Sequence, residues 1–244
     1  MCPTSHCVVL VPVGGAIDAG CENALRELER RGYAVWRVRG YAAIDAARNQ
    51  MASDALAQGF DELMWIDSDG VFEPDDIEKL RQHNLPLVSG ICAKKSSRQF
   101  ACAFLPGARQ VIFGVHGGLI DLLYCGFGFV HTRRELYEAM QRQLELPVCN
   151  QRFKGEPLVP YFAPLVVGAG EQAWYLGEDF AFSERARRCG FRIMADTTIR
   201  LWHVGAYRYG WEDAGRDVER FDDYTFHITD AAPPAPSPLS PLSQ

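Results

Sequence analysis

The sequence predicts an α/β fold in which a mostly parallel β-sheet is flanked by helices. Short apolar segments rich in β-branched residues alternate with longer segments whose apolar residues recur at helical spacing, and this alternation is typical of strand–helix–strand units. Glycines follow several of these segments, where they end strands and helices. Of the 244 residues, 48% are hydrophobic and 23% are charged, which is enough apolar surface for a sizeable core.

The first part of the chain contains the clearest alternation. The apolar run from Cys7 to Val13 is closed by Gly14 and Gly15, which predicts a buried parallel strand. The predicted elements that follow are a helix over 21–32, a strand over 33–38, a helix over 43–59, a strand over 62–66, a helix that begins at Pro74 and a strand over 86–91. Helical spacing, terminal glycines and the preference of Pro and Asp for helix starts support these assignments.

The pattern is less regular after residue 91. We predict β-structure over 110–115 and 118–130, a helix over 133–144, a long loop over 160–170, a helix over 177–190, and strands over 191–195 and 198–202. Residues 1–228 are expected to form one domain. Residues 229–244 are rich in Pro and Ser and have little to bury, so we predict a disordered tail.

The bulk properties exclude several classes of protein. The formal net charge of −6 gives no overall attraction to nucleic acid or to an anionic membrane. No segment approaches the roughly 18 consecutive apolar residues of a membrane span, and the N-terminus lacks the features of a signal peptide. The 8 cysteines include no C-x-x-C pair, so neither a zinc site nor a disulfide framework is indicated. We expect a cytoplasmic protein without integral membrane association.

Two carboxylates follow the apolar strand 62–66. In an open α/β sheet the carboxyl ends of the strands form the ligand-binding crevice, so Asp67 and Asp69 fall where sites are made. Residues two apart in an extended segment point the same way, and two carboxylates that face one point repel each other unless a cation lies between them. Mg²⁺ or Mn²⁺ would supply that charge. The alternative is an acidic loop that only caps the following helix.

The segment from Ala47 to Gly70 resembles the D-x-D region of GT-A glycosyltransferases, in particular the family 2 type, in which an Ala-Arg-Asn helix precedes the D-x-D strand. This resemblance implies a GT-A fold, with a nucleotide-binding half over about residues 1–93 and an acceptor-side half over about 94–228. It also implies a UDP- or GDP-sugar donor and a bound Mn²⁺ or Mg²⁺. The residues it assigns to donor binding are Pro12, Val13, Arg48, Asp67, Ser68 and Asp69.

A second segment, from Tyr175 to Gly205, is similar to the acceptor-side motif of inverting GT-A enzymes, in which Gly-Glu-Asp opens a helix and a histidine follows the next strand. The resemblance makes Asp179 the general base and Glu178 the residue that orients the acceptor. It makes His203 a metal ligand beside Asp67 and Asp69. Each of these residues also has a structural alternative: a carboxylate at a helix N-terminus for Asp179, and a partly buried, hydrogen-bonded histidine for His203.

Other features depart from the resemblance or allow other functions. The second strand carries Arg37 and Arg39 where family 2 enzymes commonly have an acidic residue that contacts the nucleobase, so the base is not predicted. The segment 64–72 also resembles the opening of haloacid dehalogenase-type phosphatases, with Asp67 as nucleophile and Asp69 as acid. A nucleotidyltransferase and a non-catalytic nucleotide- or carbohydrate-binding protein are further alternatives. The acceptor is not predicted.

Overall fold

The fold is described from a computed structural model that covers residues 4–95, 97–152, 155–205, 207–214 and 223–228. The predicted tail over 229–244 lies outside these residues. The described α-helices are α1 Ala19–Arg30, α2 Ile44–Ala57, α3 Asp75–Gln82, α4 Arg134–Gln143 and α5 Glu178–Arg188. Each of them falls on a predicted helical segment. In the described part of the chain, we find no helix with the length and apolar character that a membrane crossing requires.

The strands are shorter and more numerous than the sequence pattern indicated. In chain order they are β1 Cys7–Val13, β2 Ala34–Arg39, β3 Glu62–Ile66, β4 Gly70–Val71, β5 Leu87–Ser89, β6 Cys102–Phe104, β7 Gln110–Phe113, β8 Leu119–Cys125, β9 Phe129–Arg133, β10 Leu165–Val167, β11 Trp174–Leu176, β12 Ile193–Asp196, β13 Trp202–Val204, β14 Arg208–Tyr209 and β15 Tyr224–His227.

Eight strands form the central sheet, in the order β2-β1-β3-β9-β5-β12-β8-β6. Strands β2, β1 and β3 are parallel neighbours, and so are β5 and β12. Strand β9 runs antiparallel between β3 and β5, and β8 runs antiparallel between β12 and β6. All strands of the sheet except β8 and β9 therefore point the same way, as expected for a mostly parallel sheet.

The two faces of the sheet bury separate apolar clusters. Along β1, Val8 and Leu10 belong to one cluster, whereas Val9 and Val11 belong to the other, because successive side chains of a strand point to opposite faces. Helices α2, α4 and α5 contribute to the first cluster, and α1 and α3 to the second. The sheet is therefore covered by helices on both faces, which explains why β1 is apolar at every position rather than alternating.

Two predicted segments differ from the structure. The predicted strand over 198–202 is mostly a turn, and its strand, β13, begins at Trp202 and pairs with β4 and β14 in a separate three-stranded sheet. The predicted loop over 160–170 contains β10, which pairs with β11. The local pattern did not reveal these strands because each has only three residues, which is too short for a periodic pattern to appear.

The topology brings several chain segments to one edge of the sheet. Residues 67–70 follow β3, and residues 90–92 follow its parallel counterpart β5. Because β9 is antiparallel to both, its first residue lies opposite the last residue of β3, Ile66 opposite Phe129. Residues 126–128, which precede β9, therefore lie at the same edge, where ligands bind in open α/β sheets.

Candidate active site

A tight turn follows β3 and carries the two predicted carboxylates. The amide of Gly70 donates a hydrogen bond to the carbonyl of Asp67 at 3.0 Å, which closes a turn over residues 67–70. The amide of Asp67 donates to the carbonyl of Gly128 at 3.0 Å, beside the start of β9. Because the segment is a turn and not extended as we expected, Asp67 and Asp69 reach different partners.

A pocket of about 180 Å³ opens at this edge of the sheet. It is lined by Asp67 and Arg48 from the D-x-D region, by Glu178 and Asp179 from the Gly-Glu-Asp motif, and by His203 from β13. The structure therefore brings five of the predicted site residues, from two motifs far apart in the sequence, around one cavity.

Glycines form part of the pocket wall and allow the chain segments to approach closely. A Cβ atom on Gly126 would lie 2.4 Å from the carbonyl oxygen of Ala101, too close for any other residue. A Cβ atom on Gly128 would lie 3.3 Å from the Asp67 Oδ2 atom. The absence of side chains at these two positions keeps the space next to the Asp67 carboxylate open.

Arg48 connects the two motifs beneath the pocket. Its side chain is only 3% exposed, and its Nη2 atom donates to Asp67 Oδ1 at 2.8 Å while Nη1 donates to the Phe127 carbonyl at 3.1 Å. The guanidinium lies against the ring of Trp65, 5.8 Å from its centroid. Its Nε atom is buried without a hydrogen-bond partner and lies 3.9 Å from Glu178 Oε1. Arg48 therefore fixes Asp67 and keeps one donor available on the Glu178 side.

Asp69 contacts two basic side chains. Its Oδ2 atom forms an ion pair with the Lys95 ammonium, and its Oδ1 atom lies 3.3 Å from His203 Nε2. Burial raises the pKa of Asp69, but the hydrogen bonds with His203 and Lys95 outweigh this effect and lower the pKa to about 2. Asp69 is therefore an anion throughout the physiological pH range.

The His203 ring has the orientation of a metal ligand. Its Nδ1 atom lies 3.0 Å from the carbonyl of Ala93 and must donate a proton to that oxygen. The Nε2 atom then faces a carboxylate oxygen of Asp69, so the contact holds either a proton on Nε2, which is the hydrogen bond described above, or a cation between two acceptors. Metal-bound histidines commonly donate their second nitrogen to a carbonyl in this way. Asp69 and His203 thus fit a divalent cation.

Asp67 has a different partner in the structure, where its Oδ1 atom is hydrogen-bonded to Arg48. Among the described residues, no group of three His, Cys, Asp or Glu side chains has the arrangement of a metal site. Mg²⁺ and Mn²⁺ are often bound by one or two protein side chains together with substrate phosphates and water. The pair Asp69 and His203 is sufficient for that kind of site.

Asp179 has the environment of a general base. It is the second residue of α5 and lies in the pocket, where its Oδ1 atom accepts a hydrogen bond from the amide of Phe180 at 2.7 Å. Burial and the neighbouring Glu178 carboxylate raise the pKa of Asp179 to about 6, against smaller opposing effects of the Phe180 amide and Arg48. A carboxylate with this pKa is ionised at neutral pH and basic enough to accept a proton.

The remaining predicted residues lie outside the pocket wall. Pro12 and Val13 are buried at the end of β1, and the carbonyl of Ser68 accepts a hydrogen bond from the Asp18 amide at 2.8 Å. None of these three residues lines the pocket, and neither does Asp69. Arg37 of β2, which departs from the family 2 pattern, forms ion pairs with Glu22 and Glu29 of α1.

Sequence reasoning missed several parts of the site. Cys92 and Ala101 line the pocket, and the residues next to them, Ala93 and Phe100, form an antiparallel bridge. Gly126 and Gly128 lie in the segment 118–130, which we predicted only as β-structure. A signal that could have pointed to the site is the pair of closely spaced glycines itself, because glycine within a strand pattern often marks a close approach of another chain segment.

Comparisons of sequence give no relatives. No protein-family model matches this chain, and no curated protein sequence matches it significantly.

Comparisons of structure identify the fold. A197 from STIV superposes with a TM-score of 0.52 and 16% sequence identity over 82% of this chain and 85% of that chain. GalNAc-T7 in complex with UDP, GalNAc and Mn²⁺ gives a TM-score of 0.45 and 11% identity over 83% of this chain and 43% of that one. The inositol-1-phosphate CTP transferase from T. maritima gives 0.40 and 7% identity over 82% of this chain and 89% of that one. The predicted GT-A fold is confirmed; at these identities the likeness concerns the fold alone.

Proposed function

We propose that this protein is a glycosyltransferase that moves a sugar from a UDP- or GDP-sugar to an acceptor hydroxyl, with inversion at the anomeric carbon. The observation that carries the proposal is the meeting of Arg48 and Asp67 with Glu178 and Asp179 around one pocket at the ligand-binding edge of the sheet. In the proposal, residues 1–228 form a single catalytic domain that binds the donor through about 1–93 and the acceptor through about 94–228.

The donor side is assigned to residues that carry or balance charge. Asp69 and His203, with Asp67 close by, would hold Mn²⁺ or Mg²⁺, which when bound neutralises the charge that develops on a departing diphosphate. The Lys95 ammonium next to Asp69 adds a fixed positive charge for the same oxygens. Arg48 orients Asp67, and Ser68 lies between the two aspartates. Pro12 and Val13 are proposed to border the nucleotide from the end of β1.

The acceptor side is assigned to the start of α5. The Asp179 carboxylate takes the proton of the acceptor hydroxyl, and the oxygen forms a bond to the anomeric carbon of the sugar as the bond from that carbon to the diphosphate oxygen breaks. The raised pKa of Asp179, about 6, suits a base that works near neutral pH. Glu178 orients the acceptor. Its Oε1 atom lies 3.9 Å from Arg48 Nε, so Glu178 also contacts a residue of the donor side.

The contacts of Asp69 with His203 and Lys95 do not favour the phosphatase alternative. A haloacid dehalogenase-type mechanism needs Asp69 as a proton donor, which requires a carboxyl group that holds its proton near neutral pH. Burial raises the pKa of Asp69, but His203 and Lys95 lower it to about 2.

The decisive experiment is a screen of nucleotide sugars with Mn²⁺, read by release of nucleoside diphosphate and followed by the mass of the product. We expect slow diphosphate release from one UDP- or GDP-sugar, and loss of sugar transfer in Asp179→Asn with donor binding largely retained. Asp75→Asn is the matched control, because Asp75 is an exposed carboxylate in the first turn of α3, away from the pocket. Phosphate release from phosphate monoesters, or nucleotide binding without any turnover, would contradict the proposal.

A further inference from the structure

A second pocket adjoins the first at the proposed base. It has a volume of about 220 Å³ and is lined by Lys94, Ala101, Gly177, Asp179 and Phe180. Asp179 and Ala101 also line the first pocket, whereas Arg48, Asp67 and His203 line only the first. A molecule in the second pocket can therefore present a hydroxyl group to Asp179 without occupying the space beside Asp67.

Two consecutive lysines, Lys94 and Lys95, have different surroundings. The amide of Lys94 donates to the carbonyl of Gln99 at 2.8 Å, so Lys94 and Lys95 begin the turn of a hairpin at this edge. Lys95 pairs with Asp69 on the donor side. Lys94 instead lines the second pocket, and its exposed ammonium forms no ion pair with any residue that the structure describes. The second pocket thus has a carboxylate at one position and an uncompensated positive charge at another.

An aromatic wall completes the second pocket. The ring of Phe180 is half-buried and is held by Tyr124, with ring centroids 5.3 Å apart, and by the edge of Trp174 at 6.2 Å. Trp174 remains 44% exposed. A fixed aromatic face of this kind suits the apolar face of a ring-shaped ligand.

From these three features we infer that the acceptor is a ring alcohol that carries an anionic group, a phosphate or a carboxylate. Its hydroxyl lies at Asp179, its ring lies against Phe180, and its anionic group lies at Lys94. The inference rests on the proposed glycosyltransferase function and names the acceptor class of that reaction. Lys94 is a specificity residue in this arrangement, because it distinguishes charged acceptors from neutral ones.

The test compares charged and neutral acceptors that share a ring. Donor turnover is measured with glucose 6-phosphate, mannose 6-phosphate and glucuronate and, in parallel, with glucose and mannose. We expect kcat/KM for the best anionic acceptor to exceed that of its neutral parent by about 10-fold in the wild-type protein, as for a charge-assisted hydrogen bond. The phosphate and carboxylate acceptors show which of the two anions Lys94 prefers.

Three variants separate the proposed roles. Lys94→Gln should reduce the ratio of charged to neutral kcat/KM to about 1. Arg142→Gln removes a positive charge from an exposed site on α4 and should leave the ratio unchanged. Phe180→Leu should lower kcat/KM for charged and neutral acceptors alike and leave their ratio as in the wild type, because it alters the ring contact and not the charge.

Several results would overturn the inference. The first is a kcat/KM for neutral acceptors that equals the kcat/KM for charged ones. The second is a ratio of charged to neutral kcat/KM that stays high in Lys94→Gln. The third is donor hydrolysis whose rate no anionic acceptor increases. Donor hydrolysis in the absence of acceptor reports on the proposed function separately. If that hydrolysis is absent for every nucleotide sugar, the glycosyltransferase proposal fails, and not only the acceptor class.

Discussion

Replacement of Asp179 by Asn should inactivate the protein and stabilise it at the same time. The pKa of Asp179 is raised from 3.8 to about 6, first by burial and then by the Glu178 carboxylate. Asn keeps the size of the side chain and an oxygen that can accept the hydrogen bond from the Phe180 amide. It removes the negative charge that burial and Glu178 disfavour, together with the basic oxygen that the reaction needs.

The sign of the stability effect follows from the direction of the pKa shift. Between pH 4 and pH 6 the folded protein still holds a proton on Asp179 that the unfolded chain has released, so this residue makes the protein less stable as the pH rises through that range. A shift of about two units corresponds to about 3 kcal/mol. Loss of the favourable interaction with the α5 dipole offsets up to about 1 kcal/mol of the gain, and partial exposure of Asp179 screens some of the remainder.

We therefore expect Asp179→Asn to raise the free energy of unfolding by about 1 to 2 kcal/mol at pH 7.5, or Tm by about 4 °C. The gain should vanish at pH 4, where the wild-type residue is protonated in the folded state. Sugar transfer should fall by about 10² to 10⁴. Thermal unfolding at the two pH values and diphosphate release at pH 7.5 measure both effects.

Wild-type activity gives an independent check on the same pKa. With a base that titrates near pH 6, the rate should fall to about one tenth of its plateau at pH 5. An unperturbed aspartate would keep nearly full activity there. Near-normal turnover of Asp179→Asn, a rate that is flat down to pH 4.5, or an equal loss of stability at both pH values would refute the reasoning.

Three further predictions concern Asp69 of the metal pair, Gly126 of the pocket wall and Glu62 at the start of β3. Asp69→Ala should weaken Mn²⁺-dependent binding of nucleoside diphosphate, and unchanged affinity in calorimetric titrations would contradict its role. Gly126→Ala should reduce nucleotide binding, because its Cβ would lie 2.4 Å from the Ala101 carbonyl oxygen; full binding with an unchanged Tm would exclude this close contact. Glu62→Gln removes the buried carboxylate that lies 2.7 Å from Arg81 Nε and 3.0 Å from His131 Nε2, and it should cost about 3 kcal/mol in chemical denaturation at pH 7. Burial raises the pKa of Glu62, but its partners lower it to about 2, so in the wild type this contribution should disappear as the pH falls from 4.5 towards 2.

The fold class could be predicted because its determinants are local. Strand β1 is apolar at every position and β3 is apolar from Leu63 to Ile66, since both faces of these strands are buried, and the intervening helices end near glycines that the sequence displays. The place of β9 in the sheet could not be predicted in the same way. Nothing within Phe129–Arg133 indicates that it inserts between β3 and β5, because pairing between strands distant in sequence leaves no local pattern.

The candidate site was predictable in its residues and not in its contacts. Motif spacing indicated Asp67, Asp179 and His203, and they do line one pocket. The turn over residues 67–70 and the approach of Lys95 to Asp69 depend on hydrogen bonds from other segments. Side-chain partners of this kind are set by the packing of the whole domain, and a motif alone does not specify them.

The position of β9 also constrains how the chain reaches its native state during translation. When residues 1–95 have left the ribosome, β3 and β5 are complete, but the strand that joins them has not yet been made. The nascent chain must therefore keep two apolar strand edges unpaired until residues 129–133 emerge, and such edges are prone to aggregation. The insertion of β9, which places residues 126–128 in the pocket wall, thus makes the early chain dependent on its later residues.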